Sequence, residues 1–295
     1  METAQLAERV VIDGRLHLPD VTLVCVDSAY PELALNAIER SMALVDFGAA
    51  VFITRPDHGL PRCPAGLRIV TVDTIRSVPD YSRFMLRELS PYVSTSHCLV
   101  IQWDGFVLDP SMWSDEFLRF DYIGPLWDRF RDDERCICTG GFTLRSRRLL
   151  RALLDERIEP HKPEDVCIAV EYREYLERRH GIRYADKESA HRFAIEDLYV
   201  LPSAFGFHGV HNLLCVLSPE EFEEFMVNAP GSVFASWRMR KFIKHALMQQ
   251  EFDLAHRALL RRRSSRGLDA SDMRLWLRLC GALCLVKARA SYSSK

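Results

Sequence analysis

Gln102 and Asp104 stand where an apolar run becomes polar, and their side chains could bind a phosphorylated ligand. The run at residues 98–101 has the composition of a strand buried on both faces. A carboxylate after such a strand commonly caps a turn. Next to Gly105, however, Asp104 could hold a divalent cation that bridges the phosphates of a nucleotide. Gln102 could assist through its carbonyl oxygen or bind a sugar.

Gly140 and Gly141 lie between two short stretches that are typical of strands. Such a pair could form a bulge or tight turn, or it could let the backbone approach a ligand closely. Its position after the Asp104 strand favours close approach. Arg145 follows within five residues and could contact a phosphate.

Glu164 and Asp165 come directly after Pro163, which begins a predicted helix over residues 163–181. The helix dipole stabilises acids at this end, so their presence requires no function. A carboxylate held in a cleft could also act as the general base that deprotonates a hydroxyl.

His208 and His211 lie in an aromatic stretch that contains glycine, FGFHGVH. A structural histidine is the commoner explanation there. The tight loop could nevertheless direct an imidazole at a metal ion or a pyrophosphate.

The hydrophobic patterns predict an α/β fold that would position these residues. Buried strands are predicted at residues 21–28, 49–57 and 67–74, with a helix at 31–48 between the first two. This alternation indicates a single Rossmann-like, mixed and mostly parallel sheet flanked by helices. Parallel strands end at one edge, where we expect a nucleotide base near Val26, Asp27, Ser28, Thr54 and Arg55.

The predicted domains are an N-terminal extension (1–20), a catalytic domain (21–217) and a basic helical extension (218–295). Residues 238–295 contain 14 Lys and Arg against 4 Asp and Glu, which leaves 25 against 37 in the rest of the chain. The basic helices could rest on an anionic membrane, or they could be a helical cap with solvated arginines. Nucleic acid is not an expected partner, because the acidic remainder would repel it. The charge run at 128–135 is predicted to be a solvated loop rather than a mobile lid.

Cysteine usage and hydropathy favour a cytoplasmic location. Nine cysteines, an odd number scattered through apolar runs, indicate thiols in a reducing compartment. Cys136 and Cys138 lack a second pair at zinc-binding spacing. The N-terminus lacks the apolar core of a signal sequence, and no stretch has the roughly 18 uncharged residues that span a bilayer.

The motifs follow one another in an order that resembles nucleotide-sugar glycosyltransferases of the type A fold. That order is an acidic metal motif, a glycine-rich loop, an acidic base at a helix start and a C-terminal histidine. Phrases within residues 21–211 are also similar to a bacterial domain family described as glycosyltransferases of unknown specificity: DYSRFMLREL, LVIQWDGFVLDP, FDYIGPLW, GGFTLRSRRLL, PEDVCI and FGFHG. By this resemblance Asp104 replaces the last acid of the metal motif, Asp165 the base and His208 the histidine ligand. Gln102 departs from the pattern, which has an acid there.

The resemblance implies transfer of a sugar from a nucleotide diphosphate donor, by default a UDP-sugar, to a hydroxyl of a glycan or lipid-linked acceptor. Bacterial surface polysaccharide or lipopolysaccharide synthesis would use such an inverting enzyme at the inner membrane face. Asp165, with Glu164 beside it, would be catalytic, and a divalent cation (Mn²⁺ or Mg²⁺) would bind Asp104 and His208. The remaining donor-binding residues would be Gln102, Trp103, Gly140 and Gly141. The alternatives are an inactive sugar- or nucleotide-binding module and, less favoured, a nucleic-acid-binding protein.

Overall fold

The computed structural model describes residues 11–12, 14–56, 59–60, 63–127, 133, 139–161, 163–196 and 203–293. The chain divides into two compact units, Met1–His208 and Gly209–Lys295. This division falls nine residues before the predicted boundary, because residues 210–216 pack within the C-terminal unit. There, His245 Nδ1 donates to the carbonyl of His211 at 2.8 Å. Most of the 128–135 charge run lies outside the described residues, as do Cys136 and Cys138. None of the seven described cysteines forms a disulfide bond.

The N-terminal unit is built on a mixed sheet. Its strands, within the described residues, are β1 (Val11–Ile12), β2 (Arg15–Val26), β3 (Val45–Thr54), β4 (Leu67–Thr71), β5 (His97–Ile101), β6 (Tyr122–Ile123) and β7 (Phe142–Ser146). The spatial order is β4-β3-β2-β5-β7-β6, and β1 pairs with β2. Neighbouring strands from β4 to β5 run parallel, whereas β7 is antiparallel to both β5 and β6. The predicted α/β class and mixed sheet are therefore confirmed.

Helices flank this sheet. They are α1 (Pro31–Leu44), α2 (Val78–Arg87), α3 (Arg147–Ala152), α4 (Glu164–Val166), α5 (Arg173–His180) and α6 (Lys187–Phe193). The α2 helix begins at Ser77, whose hydroxyl accepts from the Asp80 amide, with proline in the first turn. Its buried residues, such as Phe84 and Met85, join a core cluster with Val24 and Val100 of the central strands.

The first two strands are longer than predicted. Residues 15–20, assigned to an N-terminal extension, form the first half of β2, and β3 begins at Val45 instead of residue 49. Gly48, expected to end the helix, lies inside β3. A Cβ atom there would come within 2.0 Å of the Pro19 carbonyl oxygen, so only glycine fits. In β2 the continuous apolar run begins only after Pro19 and Asp20, which are exposed.

The helix predicted over residues 163–181 is interrupted. After α4 comes a π-helical turn, Cys167–Glu171, in which the Tyr172 amide donates to the Cys167 carbonyl at 3.0 Å. The α5 helix then ends at Gly181, which has a φ of 62°. The single predicted helix is thus wrong in its middle, although its start and its glycine stop are confirmed. Such π turns occur often at functional sites.

A short strand pair carries the chain to His208. β8 (Ala194–Ile195) pairs in parallel with β9 (Gly206–Phe207), and Gly206 also bridges to Val107 beyond β5. The His208 amide donates to the Ile195 carbonyl at 2.8 Å. These bonds bring the end of β9 beside the segment that follows β5.

The C-terminal unit is helical, as predicted. Its described helices are α7 (Leu213–Val216), α8 (Pro219–Asn228), α9 (Gly231–Ala235), α10 (Met239–Met248), α11 (Phe252–Arg266) and α12 (Ala270–Ser293). Within the predicted helical extension, α10 and α11 are divided at Gln250, which has a φ of 64°. Arg262 and Asp272 are buried together, with Nε 2.8 Å from Oδ1. Among the described helices of the chain, none combines the length and the apolar character needed to cross a bilayer.

Candidate functional site

The carboxyl ends of β2, β3 and β5 lie side by side at one edge of the sheet. Cys25 is opposite Ile101, and Val26 is opposite Ile53. The segments that follow these strands therefore leave the sheet at the same edge. Open α/β sheets bind ligands at this kind of edge.

The residues predicted to bind a nucleotide base differ in what they can offer. The Val26 side chain is in the hydrophobic core, so only its backbone can face a ligand. Asp27 Oδ1 accepts from the amides of Ala29 and Tyr30 at 2.7 and 2.6 Å, and so shapes the loop after β2. Thr54 is buried, and its hydroxyl makes no hydrogen bond within the described part of the chain.

Trp103 joins the loop after β5 to the loop after β2. Its half-buried ring packs edge-to-face against Tyr30, with centroids 5.5 Å apart. Ser28 and Arg55 are also half-buried at this edge. Aromatic surface and polar groups here suit a flat, polar ligand such as a nucleoside.

His208 contacts Gln102 and Asp104, although about a hundred residues separate it from them in the chain. His208 Nε2 is 3.3 Å from Asp104 Oδ1 and 3.2 Å from Gln102 Oε1. The Gln102 amide nitrogen donates to the Tyr81 hydroxyl at 3.2 Å. Asp104 and His208 are both buried. The structure thus brings together residues whose proximity the sequence could only suggest.

Glu196 holds the other nitrogen of the His208 ring. His208 Nδ1 lies 2.5 Å from Glu196 Oε2, so each ring nitrogen faces a carboxylate oxygen. Burial disfavours the imidazolium, but Glu196 and Asp104 together raise the pKa of His208 to about 10. Sequence analysis missed Glu196, because it reaches His208 only through the pairing of β8 with β9. An acid directly after a short apolar strand was the one available signal.

Gly140 and Gly141 lie between the Glu164–Asp165 pair and the His208 ring. A Cβ atom on Gly141 would lie 2.1 Å from His208 Nε2, and one on Gly140 would lie 2.5 Å from Glu164 Oε1. The Gly140 amide donates to Asp165 Oδ2 at 3.2 Å. Consecutive Cα atoms are about 3.8 Å apart, so one dipeptide contacts both His208 and Asp165. The predicted close approach by this glycine pair is made to side chains of the protein itself.

Glu164 is engaged in a buried ion pair. Its Oε1 accepts from Arg145 Nη2 at 3.1 Å, and both side chains are buried. Arg145 Nε also donates to Thr143 Oγ1 at 2.9 Å. The expectation that Arg145 meets phosphate is therefore wrong for this conformation, because its guanidinium lies inside the protein. Glu164 supports the site rather than facing the ligand edge.

Asp165 is the more accessible acid of the pair. It is half-buried, whereas Glu164 is buried, and it accepts from the Val166 amide at 2.8 Å as well as from Gly140. Burial and the neighbouring charge of Glu164 raise the pKa of Asp165 to about 7, against these hydrogen bonds and Arg145. A carboxylate with these properties can accept a proton near neutral pH.

Tyr81 is a second group that sequence analysis missed. Burial, followed by the negative charge of Glu164, raises the pKa of Tyr81. Its hydroxyl accepts from the Gln102 side chain. Tyr81 therefore connects α2 with the loop after β5. Its place in the first turns of α2 gave no sign of this role.

Once His208 Nε2 has released its proton, the donor atoms of Gln102, Asp104 and His208 fit a weakly held divalent cation. They are the imidazole nitrogen Nε2 of His208, the amide oxygen of Gln102 and a carboxylate oxygen of Asp104. Both oxygens lie within 3.3 Å of the nitrogen. Carboxylate and amide oxygens suit Mg²⁺ and Mn²⁺. Glu196 on the far ring nitrogen matches the carboxylate that commonly supports a metal-binding histidine.

Comparison with known families identifies the part of the chain that carries this site. Residues 66–208 match a family model described as a protein of unknown function, DUF5672. The match includes Gln102, Asp104, the glycine pair, Asp165 and His208. No curated protein matches the chain.

Proposed function

We propose that the protein is a glycosyltransferase of the type A fold. It would move a sugar from a nucleotide diphosphate sugar, by default a UDP-sugar, to a hydroxyl of a glycan or lipid-linked acceptor. A mixed sheet flanked by helices, with polar residues at the carboxyl edge, supports this proposal. The resemblance of the motifs within residues 21–211 supplies the type A fold and the donor class.

The observation that carries the proposal is the contact of one glycine pair with two different functional groups. Sugar transfer to a hydroxyl requires a proton acceptor, and it requires stabilisation of the negative charge that develops on the leaving diphosphate. Asp165 can supply the first, because it is only half-buried beside Gly140. The Asp104–His208 pair beside Gly141 marks the place for the second.

In the proposed reaction, Asp165 takes the proton of the acceptor hydroxyl. The hydroxyl oxygen forms a bond to the anomeric carbon while the bond from that carbon to the diphosphate oxygen breaks. Direct displacement of this kind inverts the anomeric configuration. Trp103 and the loops after β2 and β3 would orient the nucleotide. A divalent cation held by Asp104, Gln102 and His208 would neutralise charge on the diphosphate.

A thermal-shift screen of nucleotide sugars with and without Mn²⁺, followed by transfer assays, tests the proposal. A ligand at 100 times its dissociation constant stabilises by about 2.7 kcal/mol, which such a screen detects. Asp165→Asn should bind donor normally but lose roughly 100- to 10,000-fold in transfer rate. The control Asp109→Asn changes an acid in an exposed turn, so it should keep full activity. Near-normal transfer by Asp165→Asn would show that Asp165 is not the general base. If no nucleotide sugar stabilised the protein, the proposed function would be refuted.

A binding module without catalysis is the second candidate. Gln102 occupies the position of an acid in the usual metal motif, and the His208 ring is held between two carboxylates. Both features reduce the capacity of the site for a cation. Saturable donor binding without transfer or hydrolysis, in the wild-type protein with Mn²⁺, would favour this candidate.

The C-terminal unit supports the proposal that the acceptor is lipid-linked. The α12 helix exposes Leu277 and Leu285 to about two thirds of their full area, and Arg274 and Arg278 are exposed on the same helix. Apolar and basic residues in this combination suit the surface of an anionic membrane.

A further inference from the structure

A second cluster of metal-binding side chains lies on the turn that follows Asp165. The π turn Cys167–Glu171 carries a thiol at its first residue and a carboxylate at its last. His161, from the loop that precedes α4, completes a group whose ligand atoms all lie within 4.8 Å of one another. We propose that His161, Cys167 and Glu171 bind a zinc-class divalent cation.

The three donors have the chemistry and nearly the spacing that zinc requires. Zinc binds thiolate, imidazole and carboxylate at about 2.0 to 2.3 Å in a tetrahedral arrangement, which puts neighbouring donors about 3.5 Å apart. His161 Nε2 and Glu171 Oε2 are already 3.0 Å apart. One thiolate and one carboxylate would balance the two positive charges. Binding releases to water the thiol proton of Cys167 and the proton between His161 Nε2 and Glu171 Oε2, and the fourth position is left to a water molecule.

The tautomer of His161 directs Nε2 toward the proposed cation. His161 Nδ1 lies 2.8 Å from the Glu159 carbonyl oxygen, and a carbonyl can only accept, so Nδ1 carries a proton. Nε2 then faces Glu171. This donation from the far ring nitrogen to a backbone carbonyl is the usual support of a metal-binding histidine.

The loop that carries His161 is held against the π turn before any cation binds. The Glu159 amide donates to the Tyr172 hydroxyl at 3.0 Å. The His161 ring packs edge-on to Tyr172, and Cys167 Sγ lies 3.9 Å from the Glu159 carbonyl. Little ordering is therefore required on binding. His161 is half-exposed, which gives an ion a path from solvent to the buried Cys167.

An ordinary surface ion pair is the competing explanation. His161 and Glu171 could simply attract each other, with Cys167 as a small core residue. Exposed pairs of this kind contribute little to stability, and they require no thiol within reach. The two explanations differ in whether Cys167 participates, so a thiolate-specific signal separates them.

Titration of the full-length, chelator-treated and reduced protein with Co²⁺ provides that signal, because a cobalt–thiolate bond gives a near-ultraviolet charge-transfer band. We expect one equivalent of Co²⁺ to produce the band and Zn²⁺ to displace it. Cys167→Ser and His161→Gln should each abolish it. His161→Gln changes a half-exposed side chain, so it serves where Cys167→Ser disturbs folding.

Two control variants separate this site from other cobalt-binding groups. Cys63→Ser removes an exposed thiol elsewhere, and Asp104→Asn alters the proposed donor site. Both should keep the band at full intensity. A wild-type protein without the band at saturating Co²⁺ would overturn the proposal. A band that both Cys167→Ser and His161→Gln retain would overturn it as well, because other thiols would then be the ligands.

Discussion

Replacing Gly141 with alanine should destabilise the N-terminal unit strongly. The new methyl carbon would lie 2.1 Å from His208 Nε2 and 2.2 Å from Cδ2. Nonbonded heavy atoms are comfortable at about 3.5 Å, so the ring or the start of β7 must move by roughly 1.4 Å. The His208 ring cannot yield easily, since Asp104, Gln102 and Glu196 hold both of its nitrogens.

The magnitude follows from what the displacement breaks. Separating the imidazolium from Asp104 leaves a buried carboxylate without its charge partner, which typically costs about 3 to 5 kcal/mol. In a unit of this size each kcal/mol lowers the melting temperature by about 2 to 4 °C. We therefore expect the melting temperature to fall by about 6 to 20 °C. Binding of a nucleotide-sugar donor at the carboxyl edge of the sheet should weaken in the same variant.

Thermal and urea unfolding, with hydrogen exchange of peptides from β5 to assign the change to the N-terminal unit, measure this effect. The matched control is Gly281→Ala in α12, where an added methyl meets nothing within 4 Å. That variant should be neutral or gain about 0.5 to 1 kcal/mol, because alanine favours helix. A loss below 1 kcal/mol in Gly141→Ala would refute the claim that Gly141 is packed against a fixed His208 ring.

Two further predictions concern the C-terminal unit. Asp272→Asn should cost about 3 to 5 kcal/mol in urea unfolding, because it leaves the Arg262 guanidinium buried without a counter-charge; a loss below 1 kcal/mol would show that the pair is not buried in solution. The wild-type protein should float with vesicles of anionic lipid at low salt and dissociate at high salt. Leu277→Glu combined with Leu285→Glu should abolish flotation, whereas absence of wild-type binding at low salt would favour the helical cap.

The central strands and the helix starts could be predicted from sequence because their signals are local. β5 coincides with an apolar run, and Pro31 marks the start of α1, although the cap of α2 is Ser77, upstream of Asp80 and Ser82, which the pattern favoured as caps. The interruption of the 163–181 helix could not be predicted in this way. Its π turn preserves helical composition and changes only which carbonyl the Tyr172 amide reaches. The break at Gln250 is similar, since a non-glycine residue adopts a positive φ there.

The candidate site shows the same division. Gln102, Asp104, the glycine pair, Asp165 and His208 were predicted from residue type and from their place beside strands or helix starts. Glu196 and Tyr81 were not, because each reaches the site through contacts with residues distant in the chain. Glu164 and Asp165 are adjacent in sequence but have different roles. The difference depends on Arg145, which lies nineteen residues before Glu164 and forms an ion pair with it.

The fold class, the helical C-terminal part and most residues of the site could be recognised in the sequence. These properties follow from hydrophobic periodicity, capping residues and backbone preference, which act over a few residues. Only the tertiary structure decided that His208 lies between Asp104 and Glu196, and that Gly141 must be glycine to admit its ring. The pairings of β5 with β7 and of β8 with β9 determine these contacts, and strand pairing joins residues that no local pattern relates.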